Sequence, residues 1–187
     1  MDGKRLKIAR PNDSDVQLAT YSRYIMANSM HSLLVVLADG MVPLLTPGAG
    51  GRRHEAMLQR INRINASMMA AQGGKPRLFG LATDKGFYAE SCVLPMPRGA
   101  NLPPALMLAS ARMSPLRWIN EGAIGRVSNE WPLVDSKKLN KTGAVNVSRL
   151  YRVAVFLSNC RTCLRGSAAS QFFDCRPPSI EEYLSCV

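Results

Sequence analysis

The chain has 187 residues, 47% of them apolar, with a mean hydropathy of −0.06, which suits one domain with a buried core and excludes a disordered polymer. Twenty-four Lys and Arg against thirteen Asp and Glu give a net charge of +11, a balance that attracts polyanions. No apolar run reaches the roughly 18 residues needed to cross a bilayer, and the opening residues carry no apolar secretory segment, so no membrane partner is expected.

In chain order, residues 1–12 read as a basic arm carrying Lys4, Arg5, Lys7 and Arg10. Ser14 and Gln17 fit a capping box, and Leu18, Tyr21 and Ile25 recur at helical spacing, predicting a helix over about 15–30. Asp39-Gly40 between two apolar runs predicts a hairpin over 33–45, with Pro43 confining the second strand to an edge. A single helix continuing to Ala38 is the alternative.

"TPGAGG" then opens a helix over about 52–72, with Met57, Ile61, Ile64 and Met68 as its apolar stripe and Arg52, Arg60 and Arg63 opposite. A second hairpin is predicted over 77–94, turning at Asp84-Lys85-Gly86. Four prolines make 94–104 an irregular crossing, and Pro104 suits the first turn of a helix holding Ala105 to Met113. Prolines and glycines between 114 and 146 break any long element. Residues 147–158 fit a helix or a buried strand, and Ser179 with Glu182 makes a capping box for a short terminal helix. The fold class expected is α+β and helix-rich, a single globular domain over 13–187 with short hairpins packed on amphipathic helices.

Cys160 and Cys163 stand in C-x-x-C spacing, with Cys175 and Cys186 beyond. Four-ligand zinc needs a second pair that this spacing does not supply, so packed thiols are expected, with no metal site and no cofactor. "CLRGSAASQFFD" resembles the arginine-to-aromatic-acid ending of rod-shaped plant virus coat proteins over about a dozen residues, and the rest of the chain does not follow that family.

No nucleophile-elbow or phosphate-loop pattern occurs, and the acids stand singly apart from Glu181-Glu182. The expected site is therefore a phosphate-binding surface. It comprises the arm (Lys4, Arg5, Lys7, Arg10), the arginine helix (Arg52, Arg53, Arg60, Arg63) and a C-terminal group (Lys137, Lys138, Lys141, Arg161, Arg165) interleaved with Tyr151, Phe172 and Phe173. The function expected from sequence is an RNA-binding, non-catalytic structural subunit of a ribonucleoprotein or viral nucleocapsid, with RNA and protein neighbours as partners. The alternative is a small zinc-stabilised regulatory module or an enzyme acting on an acidic or nucleic-acid substrate. An intracellular or virion location follows from either.

Overall fold

The computed structural model describes residues 1–74, 79–97, 99 and 101–185. A nine-residue strand, β3 (Ala27–Val35), organises the sheet, pairing antiparallel with β1 (Asp2–Lys7), β2 (Tyr21–Ser22), β4 (Leu44–Leu45) and β5 (Ala49–Gly50). Alternation along β1 gives the sheet two faces. Leu6, Ile8 and Leu34 enter one core with Val127, Tyr151 and Val155 of the long helices. Met1, Leu33 and Val35 enter the other with Leu58, Ile64, Phe87 and Val93.

The α+β, helix-rich class is what the structure shows, but several elements differ from expectation. The basic arm is strand β1, fully registered against β3 from Asp2↔Leu34 to Lys7↔Ser29. Leu6 and Ile8 are 1% exposed, and burying them holds the segment in the sheet. The helix expected over 15–30 ends early: α1 is Ser14–Thr20, capped by Asp13 rather than Ser14, with Asp13 Oδ1 accepting from the Asp15 and Val16 amides. Leu18 is exposed, so the helical spacing there marks no core stripe. Residues 27–30 instead enter β3, and the buried side chain of Asn28 is satisfied locally. Asn28 Nδ2 donates to the Gln17 carbonyl and to Thr20 Oγ1, both at 2.9 Å.

The hairpin over 33–45 forms as β3–β4, with Gly40 at φ 84° and Asp39 Oδ1 accepting from the Met41 amide at 2.8 Å. The helix expected over 52–72 is two: α2 (Glu55–Ile61) and α3 (Ile64–Ala71), broken at Arg63, which is left-handed at φ 50°. The break rotates the apolar faces. Leu58 and Ile64 are buried at 1%, whereas Met57 and Ile61 are half exposed.

The segment over 77–94 is not an antiparallel hairpin: β6 (Leu81–Thr83) and β7 (Val93–Pro95) pair in parallel. Residues 75–78 lie outside the described set. Parallel neighbours ordinarily need a helical crossover of about a dozen residues, and here side-chain amides of α2–α3 hold the connection instead. Gln59 donates to the Tyr88 carbonyl at 3.0 Å and accepts from its amide at 3.1 Å. Gln72 pairs the same way with Phe79, and Asn65 Oδ1 accepts from the Cys92 amide at 2.9 Å.

One helix, α4 (Pro104–Glu130), runs through Pro115, Gly122 and Gly125, where breaks were expected. Its second half is held by burial of Ile119, Ala123 and Val127, which outweighs the weak local propensity. Residues 147–158 resolve as helix, α5 (Val147–Arg165), capped by Asn146, whose side chain accepts from the Arg149 amide at 3.0 Å. Short α6 (Ala168–Phe172) and α7 (Ile180–Ser185) follow, the latter with the expected Ser179–Glu182 capping box.

Candidate active site

Asp2 opens β1 on the face that carries Lys4 and Leu6, the face on which α4 packs. The Met1 nitrogen donates to the Ala82 carbonyl at 2.8 Å, which docks β6 beside β1 and brings Asp84, the residue just past β6, toward Asp2. Burial pushes the Asp2 carboxyl above its ordinary range, and the charges of Glu55 and Asp84 push it the same way, against the Gly3 amide hydrogen bond that lowers it. A half-buried carboxyl whose proton affinity is raised by burial and by nearby carboxylates is a candidate for a functional acid.

A third acid joins from α4. Arg117 donates to Glu121 at 2.8 Å and stands 3.9 Å from Asp84, spanning both carboxylates from one turn of the helix. Glu55 is otherwise engaged. It accepts from Arg5 at 3.0 Å and lies 3.6 Å from His31 Nε2, so its charge is already matched from the opposite face of the sheet. Asp84 is thus linked to Glu121 through Arg117 and to Asp2 through its charge.

These acids are missing from the expected site. Asp2 reads in sequence as one counter-charge in a basic stretch, and Asp84 as turn chemistry. The available signal is Asp84 placed at the end of the short apolar run Leu81–Thr83.

The basic residues fall into separate groups. Lys4 turns inward, donating to Ser128 Oγ at 2.8 Å and to Asp135 at 2.9 Å. Arg5, Arg52 and Arg53 meet in one cavity, which also recruits Arg23. Arg60 stacks on the Tyr88 ring at 4.3 Å, and Arg63 marks the α2–α3 break. Lys7, Arg10, Lys137, Lys138 and Lys141 are exposed and apart from that cavity. Arg161 pairs with Glu130 at 3.0 Å, and Arg165 is exposed in the last turn of α5. Tyr151 is 0% exposed in the core, while Phe172 packs edge-on to Phe173 and near Trp118. The glycines of "TPGAGG" serve close packing: a side chain at Gly50 would meet the Ala19 carbonyl, and one at Gly51 the Ser29 hydroxyl. Cys160 and Cys163 lie inside α5 and are free, as are Cys92 and Cys175. Cys186 lies outside the described residues.

Among the described residues no three His, Cys, Asp or Glu side chains converge closely enough to cage an ion. The carboxylates of Asp2 and Asp84 nonetheless suit a hard cation, because Mg²⁺ is commonly held by one or two carboxylates and completes its shell with water and substrate phosphate.

No helix among the described residues is long and apolar enough to cross a membrane. No curated protein and no solved structure matches the chain. A family model described as DDE superfamily endonuclease matches residues 1–159. That match overturns the expectation of a non-catalytic structural subunit: the family is one of nucleases, not of ribosomal or nucleocapsid proteins. The expectation of nucleic acid as partner is kept in its general form. What composition could not reveal is membership of a nuclease family.

Proposed function

The chain belongs to the DDE superfamily endonucleases, and from that premise we propose that it hydrolyses phosphodiester bonds of nucleic acid at Asp2, Asp84 and Glu121. The observation that carries the reading is the family match over residues 1–159, and Arg117 bridging Asp84 and Glu121 supports the choice of residues. The order of the three along the chain is that of the family name in one-letter code. Asp2 and Asp84 would hold a divalent cation of the Mg²⁺ or Mn²⁺ kind. When bound, such a cation supplies charge stabilisation to a phosphorus centre undergoing in-line displacement.

The chain's own residues do the rest. Packing of β6 against β1 fixes the two aspartates, since neither strand can shift without breaking the Met1–Ala82 hydrogen bond. Glu121, exposed on α4, would orient the attacking water and receive its proton. As the new oxygen–phosphorus bond forms, the bond to the leaving oxygen breaks on the opposite side. Arg117 offers a guanidinium that can leave its carboxylates and fork onto phosphate oxygens.

A supercoiled plasmid supplies the test. Nicking with Mg²⁺ or Mn²⁺ and none with EDTA is expected, with Asp84→Asn slower by on the order of a hundredfold. Undiminished nicking by folded Asp84→Asn would remove this centre from consideration.

A further inference from the structure

Two surface cavities share His54 in their lining. The first, of about 530 Å³, is lined by Arg5, Arg23, Arg52, Arg53 and Tyr24 among others. The second, of about 1030 Å³, is lined by Met57, Arg60, Gly86, Tyr88 and Met96 among others, Gly86 lying two residues beyond Asp84 in the chain. His54 lines both.

Each cavity holds a tyrosine with an arginine against its ring. The Arg5 guanidinium lies 5.2 Å from the centroid of Tyr24, and that of Arg60 lies 4.3 Å from the centroid of Tyr88. Tyr24 is 84% exposed and Tyr88 47%, so each ring is supported yet still offers surface. Tyr88 is also fixed at its backbone by Gln59, which is 1% exposed. Among the described residues, Arg23, Arg52, Arg53 and Arg60 make no ion pair, whereas Arg5 is matched by Glu55. Uncompensated guanidiniums alternating with supported rings are the chemistry that grips phosphates and stacks unpaired bases.

We propose that the joined cavities are a binding track for a single-stranded nucleic-acid segment, with Tyr88 and Tyr24 as stacking platforms and Arg23, Arg52, Arg53 and Arg60 as phosphate contacts. The inference rests on the nuclease reading for its purpose, because the second cavity includes Gly86 of the loop that follows Asp84 and would hold the strand near the cut. A duplex keeps its bases stacked inside and cannot use the two rings.

The test is fluorescence anisotropy in EDTA, where no cleavage occurs, with fluorescein-labelled oligothymidylate of about a dozen residues and the matching oligouridylate. Tyr24→Ala and Tyr88→Ala should each weaken binding about tenfold. Tyr24→Phe and Tyr88→Phe should restore it, since the ring is kept. Arg52→Gln with Arg53→Gln should flatten the salt slope by about 1.4 units, at about 0.7 per contact. The two oligonucleotides compared tell whether the track prefers DNA or RNA. Wild-type affinity in both folded alanine variants overturns the proposal, as does equal competition by a blunt duplex or by polyglutamate. Asp84→Asn should bind like wild type. An unchanged nicking rate in Asp84→Asn would sink the nuclease reading alone, and tyrosine-independent binding would sink the track alone.

Discussion

Asp2 carries an energetic cost that its position explains. Its carboxyl is raised from the usual 3.8 by burial and then by Glu55 and Asp84, so the folded chain holds that proton more tightly than the unfolded chain. Stability therefore falls as pH rises from the unfolded value through the raised folded one, and above that window the cost is constant. Asp2→Asn should melt at a higher temperature than wild type at pH 7, lose that advantage below about pH 4, and nick no plasmid. Thermal melts at both pH values check it. Tyr151 makes a parallel case without a site: its hydroxyl is buried, has no hydrogen-bond partner among the described residues, and is raised by burial. Tyr151→Phe should leave stability unchanged or raise it by up to about 1 kcal/mol, read from denaturant melts.

At the scale of elements, α2 shows how much local pattern reveals. The glycine-rich start and the apolar content were legible, as was the existence of helix over most of 52–72. The buried face was not, because the left-handed Arg63 resets the phase between α2 and α3, and no residue type there announces it. Leu58→Ala should cost about 2–5 kcal/mol, while Ile61→Ala should change stability by about 0.5 kcal/mol or less, as expected for an exposed position. Chemical denaturation of the two variants separates them. The parallel pairing of β6 and β7 was illegible for a similar reason. An Asp-Lys-Gly turn between apolar runs looks like a hairpin, and the amides of Gln59 and Asn65 that redirect the chain come from another part of the sequence. By contrast, the Ser179–Glu182 box and the Asp39-Gly40 turn depend on neighbours within four residues, and both were readable.

At the scale of the whole molecule, charge announced the class of partner and concealed the chemistry. The excess of cations pointed to nucleic acid, yet several of the residues behind that expectation are spent internally, Lys4 on Asp135 and Arg161 on Glu130. The proposed acidic centre draws one residue from β1, one from just past β6 and one from α4, and no local spacing relates them. With a net charge of +11 around that centre, plasmid nicking at sub-saturating protein should fall steeply as salt rises, through loss of counterion release on binding. Rates measured at saturating protein should fall far less, because the contacts at the cut are short-ranged. A rate equally salt-sensitive under both conditions would mean that the cations act on the chemical step.

The three amides that clasp Phe79, Tyr88 and Cys92 also impose an order of events. Gln59 and Asn65 reach the loop after Asp84 only once α2 and α3 have coiled, and isolated segments of seven or eight residues do not stay helical in water. Those helices persist only after Leu58 and Ile64 have found the sheet. The expected order of assembly is therefore sheet, then helices, then the loop that carries Asp84. In refolding, the return of nicking should lag behind the return of helical circular dichroism.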